Sequence, residues 1–130
     1  MRNILMISKL LLLSLLLLLS TNLYAKNSKK IEIGIASWYG KPFHGRITAN
    51  GEKYNMYEYT AAHPTLPFNT IVEVTNLQNN RKIKVRINDR GPYSKRRIID
   101  LSYLAAKKLG YLHKGTTKVK VKVLYQQKRR

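Results

Sequence analysis

The feature that most constrains this chain is an alternation of apolar and basic residues with period two. Over residues 117–125, Val119, Val121 and Val123 alternate with Lys118, Lys120 and Lys122. Over residues 82–89, Ile83, Val85 and Ile87 alternate with Lys82, Lys84 and Arg86. Alternation of this kind predicts strands with an apolar side inward and a basic side outward. Ile31, Ile33 and Ile35 repeat the pattern over residues 31–39, and Val72 and Val74 over residues 70–77. Residues 59–62 and Ile98-Ile99 read as shorter strands, and Gln78-Asn79-Asn80 as a hairpin turn. A single helix, capped by Asp100 or Ser102, runs to Leu109 with Leu101, Leu104, Ala105 and Leu109 as its apolar stripe and Gly110 just past its end. The sum is a mainly β chain of about six short strands and one short helix. Every strand has one apolar face, and one helix cannot cover an open sheet of them, so a small closed barrel is expected.

Residues 1–25 read as a secretory signal. Arg2 and Lys9 are the early charges, residues 10–19 are apolar except for Ser14, and Ala25 suits the position before a cleavage site. A ten-residue apolar run spans about 15 Å as a helix, half of a bilayer core of about 30 Å. Residues 26–32 form a basic lead-in, residues 33–125 one barrel domain, and residues 126–130 a basic tail. The chain has no cysteine, so the domain is expected to hold together through its core alone, without a lipid-acceptor thiol. It carries 25 basic and 6 acidic residues, and removal of Arg2 and Lys9 takes the net charge from +19 to +17. Charge of that sign favours a polyanionic partner. Export argues against nucleic acid and toward the cell envelope, where stem peptides, wall polymers and lipid head groups are anionic.

Asp89 lies in register with Ile83, Val85 and Ile87, just before Arg90-Gly91-Pro92 ends the strand. A carboxyl turned toward an apolar setting holds its proton to higher pH, as a general acid requires. The competing reading is an Asp that caps the turn through backbone N–H groups. Residues 41–57 form a long loop broken by Gly45, Gly51 and Pro42, and it contains His44 and Glu52. Trp38 and Tyr39 either pack in the core or stack on sugar rings. The three histidines lack the close pairing of a zinc site, so no metal and no other cofactor is expected.

Seven segments then occur in one order: Gly34-Ile-Ala-Ser-Trp-Tyr-Gly40, Gly45-Arg-Ile-Thr-Ala-Asn-Gly-Glu52, Thr60-Ala-Ala-His63 with Leu66-Pro67, Val74-Thr-Asn-Leu77, Asn88-Asp-Arg-Gly-Pro92 and Ile99-Asp-Leu-Ser102. Over roughly residues 33–125 the chain resembles the rare-lipoprotein-A-like septal lytic transglycosylases. That resemblance implies a double-psi β-barrel, export to the periplasm or beyond, and peptidoglycan glycan strands as substrate. It implies Asp89 as catalytic acid with Glu52 and His63 beside it in the cleft, and Trp38, Tyr39, Asn88, Arg90 and Tyr93 as substrate contacts. His63 would bond Asp89 or the sugar N-acetyl group, or simply be a satisfied histidine at a strand end. In such a reaction the muramic acid C6 hydroxyl attacks its own C1 and leaves a 1,6-anhydro end, so one acid suffices where a hydrolase needs two carboxylates. Asp100 is assigned to the helix cap. The chain departs from the family in lacking a lipid-acceptor cysteine and a glycan-binding SPOR domain, and in having Asn55 where Asp is common and Asn79-Asn80 for the usual Asn-Gly. The expected form is a monomer in the periplasm or secreted, at most peripheral to anionic envelope surfaces. The alternative is an expansin-like module that binds or loosens the wall without cutting it.

Overall fold

The computed structural model describes residues 2–27 and 30–128. A long helix, α1 (Arg2–Asn27), precedes a six-stranded barrel: β1 (Ile31–Tyr39), β2 (Thr60–Ala62), β3 (Thr70–Asn76), β4 (Lys82–Asp89), β5 (Arg97–Ser102) and β6 (Thr117–Gln126), with α2 (Tyr103–Leu109) after β5. Among the described residues there are two α-helices, the one short helix expected after β5 and a second over the segment read as a signal. The apolar part of α1 extends over Arg2–Ser20, because Ile4 to Ile7 continue the run that Lys9 interrupts. That length fits a membrane span and fits a signal peptide equally. The side chains described over residues 2–20 are exposed. The basic lead-in is interrupted by positions 28 and 29, which lie outside the described residues, as do 129 and 130 of the tail. β1 is already formed at Ile31, and β6 continues to Gln126.

The strands close in the order β1-β5-β2-β4-β3-β6. Inward residues of every strand meet at the centre: Ala36, Ala61, Val72, Val74, Val85, Ile87, Ile99, Leu101, Val119 and Val121. With α2 covering one end through Ala105, Ala106 and Leu109, all buried core residues lie between Ala36 and Val121. The barrel thus closes its core without α1. The Asn-rich hairpin forms as expected, with Asn80 at φ 61°, and Asn76 and Asn79 both donate to the Leu109 carbonyl at the end of α2. Gly110 takes the left-handed conformation after that helix, at φ 80°.

Two irregularities in the ladders decide where the polar residues go. β2 and β4 run parallel, pairing Ala61 with Ile87 but Ala62 with Asp89. Asn88 is the extra residue of a bulge, which reverses the facing of the residues after it. Asp89 consequently lies on the face turned away from Ile87 and the core, contrary to the uninterrupted alternation expected for it. β5 continues through Asp100 to Ser102 rather than stopping at Ile99, and pairs Ala62 with Asp100 across β2. β1 pairs Ser37 with Asp100. Ser37, Asp100, Ala62 and Asp89 therefore form one row across β1, β5, β2 and β4, with the two carboxylates on either side of an alanine. At the usual strand spacing their backbones are about 10 Å apart.

Candidate active site

The loop between β1 and β2 folds beside this row, and the two border an open-sided cavity of about 220 Å³. Asp89, Ala62 and Asp100 line it from the strands, and Thr48, Tyr54 and Arg46 from the loop. Asp89 accepts the Ala49 amide and the Arg90 amide, each at 2.9 Å and both on Oδ1. Its carboxyl plane is thereby fixed from the backbone, and Oδ2 makes no recorded hydrogen bond among the described residues. The turn-capping role and a place in the cavity wall thus coexist in one side chain.

Asp100 does not cap α2. Ser102 does, accepting the Ala105 amide at 3.3 Å. The Asp100 carboxylate instead accepts the Ser37 hydroxyl and an Arg97 guanidinium N–H at 3.2 Å, again on Oδ1 alone. Arg97 also donates to Ser37 Oγ at 2.6 Å. Arginine and serine together hold one oxygen of this cavity-lining carboxylate, as two backbone amides hold one oxygen of Asp89.

Aromatic rings form the opposite wall. Tyr39 stacks on Tyr54 with centroids 4.3 Å apart and meets Phe43 edge-on at 5.9 Å. The Tyr54 hydroxyl donates to the Tyr39 carbonyl. Burial pushes its own pKa up to about 12. The Tyr39 hydroxyl is buried without a hydrogen-bond partner among the described residues. Burial foremost, then the negative charge of Asp89, keeps it a neutral phenol. An unpaired buried donor at a cavity wall is costly unless a ligand satisfies it.

Glu52 sits beside this cavity as a fixed anion. Arg86 grips it with both nitrogens, at 2.7 and 2.8 Å, and Asn50 and Asn88 add N–H donors at 2.8 and 3.3 Å. The Arg86 bonds lower its pKa from 4.5 to about 2, the wrong direction for a proton donor at neutral pH. Its role in the geometry is to tie the loop to β4. Because the folded pKa lies below the unfolded one, this contribution is complete above about pH 4.5 and fades as pH falls toward 2. The Glu52 side chain is 39% exposed, so about 1–2 kcal/mol remains after discounting for solvent. Glu52→Gln should lower stability by that amount at pH 7 and by almost nothing at pH 2. Urea melts across this range check it, and an undiminished difference at pH 2 would refute the ion-pair account.

His63 is turned away from the cavity and is 2% exposed. Its Nδ1 accepts the Thr65 and Leu66 amides at 3.1 and 3.0 Å, so the proton is on Nε2, which donates to Glu32 at 2.9 Å. Of the bonds expected for it, neither Asp89 nor a sugar is within this geometry. The turn it holds presents the carbonyls of His63 and Leu66 to Arg90, at 3.2 and 2.9 Å, and Phe68 lies 3.9 Å beneath that guanidinium. The His63 amide also bonds the Asp89 carbonyl at 3.2 Å. His63 therefore positions Asp89 through the backbone on both sides of it. His63→Ala orphans two turn amides and should cost about 2–4 kcal/mol, while His63→Asn, whose Oδ1 replaces Nδ1, should recover more than half. Thermal melts of the two variants distinguish this from a side chain that only fills space, for which both would be equally poor.

The remaining expected contacts divide. Tyr39 and Arg90 line the cavity. Trp38 packs against the core, donates to the Leu112 carbonyl at 3.3 Å and meets Tyr103 edge-on. Asn88 is 2% exposed and faces Glu52. Tyr93 is 89% exposed, outside the cavity wall. Sequence reasoning missed Asp100, Ser37 and Arg97. The available signal was that Asp100 falls between Ile99 and Leu101, in strand alternation rather than at a helix start.

A model of the lytic transglycolase family matches residues 31–121. The endolytic peptidoglycan transglycosylase RlpA of Pseudomonas aeruginosa strain UCBPP-PA14 is 60% identical over 89 residues, 68% of this chain and 26% of that protein. This chain spans about a quarter of that relative's length. Among solved structures, a Streptomyces papain inhibitor superposes with TM-score 0.61 at 26% identity, covering 74% of this chain and 96% of that one. A Clavibacter michiganensis expansin superposes with TM-score 0.61 at 16% identity over 77% and 53%, a likeness of fold. By its ordered motifs, its closed six-stranded barrel and this match over most of its length, the chain belongs to the rare-lipoprotein-A-like lytic transglycolase family of double-psi β-barrels.

Proposed function

We propose that this barrel is an endolytic murein transglycosylase that cuts peptide-free glycan strands in the periplasm and leaves 1,6-anhydro-muramic ends, as part of wall remodelling at division. The observation that carries the reading is the Asp89 carboxyl, which lines the cavity and is held through Oδ1 by two backbone amides, leaving Oδ2 without a hydrogen bond among the described residues. Protonated Asp89 gives its proton to the glycosidic oxygen as the C1–O bond breaks. The muramic C6 oxygen bonds to C1 of the same sugar, and its proton passes to the Asp89 carboxylate, which restores the acid. No water enters the balance, and no second carboxylate has to serve as nucleophile. Asp100, held by Ser37 and Arg97, supplies negative charge opposite the positive charge that develops at C1. Tyr39 and Arg90 contact the sugar, while Glu52 and His63 hold the loop and the Asp89 backbone in place. The Pseudomonas relative, a peptidoglycan transglycosylase, supports peptidoglycan as substrate.

The test is a digest of amidase-treated glycan strands with residues 26–130, read by mass spectrometry. Anhydro-muramic products identify the transglycosylase. Binding of strands without products would instead favour the expansin-like module.

A further inference from the structure

Away from the Ser37–Asp89 row, the outer face of β1, β6, β3 and β4 takes no part in the cleft, and its residues are ordered by register. Ile31, Ile33 and Ile35 stand opposite Lys122, Lys120 and Lys118 of β6. Beyond them, Glu73 of β3 stands between Lys122 and Lys84, and Lys82 lies in the next row. Five lysines thus share this face with one carboxylate, which two of them flank directly, beside an isoleucine stripe in which Ile31 and Ile33 are 53% and 57% exposed. The barrel's closure gives this face no internal partner.

We propose that this face seats the barrel on an anionic phospholipid surface. Charge complementarity selects an anionic partner, and the isoleucines select a lipid one. A hydrated wall polymer satisfies the ammonium groups but offers nothing to three exposed apolar side chains. A bilayer interface accepts both, with lysine heads at the phosphates, their stems along the surface, and isoleucines in the boundary with the acyl region. The placement agrees with the chain's course, since only three residues separate α1 from β1. While α1 is attached to a membrane, Ile31 stays within about 15 Å of it. The cleft lies at the other end of β1, about 20 Å along the strand, and is left uncovered.

The experiment is co-sedimentation of residues 26–130, whose core is complete without α1, with vesicles of equal parts phosphatidylglycerol and phosphatidylcholine. Pure phosphatidylcholine vesicles and purified sacculi serve as comparisons. Binding should require phosphatidylglycerol, fall about a hundredfold in K118Q/K120Q/K122Q, and fall about tenfold in I31S/I33S. Both variants should melt with the parent and digest or bind soluble glycan strands as it does, so the result is independent of the transglycosylase reading. No vesicle binding by the parent overturns the proposal. So does a lysine-dependent binding that ignores the isoleucines, or a stronger lysine-dependent binding to sacculi than to vesicles, since either leaves charge alone as the cause.

Discussion

Replacing Asp89 with Asn should lower turnover of peptide-free glycan strands by about 10²–10⁴-fold, the usual contribution of a positioned general acid. The variant suits the test because its geometry is conserved. Asparagine keeps an Oδ1 that can accept the Ala49 and Arg90 amides, so the loop and the strand end stay where they are. What changes is the group at the open position, where an amide cannot deliver and recover a proton. Thermal stability should be within a few degrees of the parent, and strand binding within a fewfold. Loss of activity together with loss of fold would leave the assignment unsupported. Near-parental activity would remove Asp89 from the chemistry and return it to the turn.

Asp100→Asn should have the second largest effect, a fall of about 10–100-fold in kcat with little change in KM. The Asn oxygen can still accept from Ser37 and Arg97, so the substitution removes charge and little else. A group that acts on developing charge at C1 is felt in the transition state more than in the bound substrate, which is why the loss belongs to kcat. Removing one of two carboxylates that share a cavity also relieves their repulsion, and the melting temperature should hold or rise slightly. A rise in KM at constant kcat would make Asp100 a substrate-binding residue. The double variant with Asp89→Asn should lose little more than Asp89→Asn alone, because charge stabilisation without a proton donor has little left to assist.

The barrel was legible because its strands obey period two and its core residues fall on one parity: Val72 with Val74, Val119 with Val121. The site was legible only where that parity was not needed. Asp89 could be selected from the end of a strand, but its facing could not, since a bulge at Asn88 carries no mark in a sequence of polar residues. Asp100 was lost for the related reason that a strand ending in Asp-Leu-Ser reads like a helix start, and only pairing with Ala62 and Ser37 shows that β5 continues. Glu52 and His63 were found as members of motifs, yet their partners come from remote parts of the chain, Arg86 for one and Glu32 for the other. A motif preserves the residue and hides what it touches. The surface of lysines and isoleucines was visible as a pattern from the first strand onward, and the register alone brought its two halves together.

The row of Ser37, Asp100, Ala62 and Asp89 draws one residue from each of four strands, and its Ser37–Asp100 bond joins positions 63 apart in the chain. No fragment of the chain contains it. β1 is synthesised first, but its serine meets the aspartate only when β5 arrives, and both meet Asp89 only when β2 lies between them. On the proposed reading this row is the catalytic arrangement, and it is complete only when the barrel is closed; non-local pairing of this kind is the slow part of folding. On that reading the barrel cuts the wall of its own cell, and a chain exported in extended form carries no blade; assembly of the fold is then itself the safety catch.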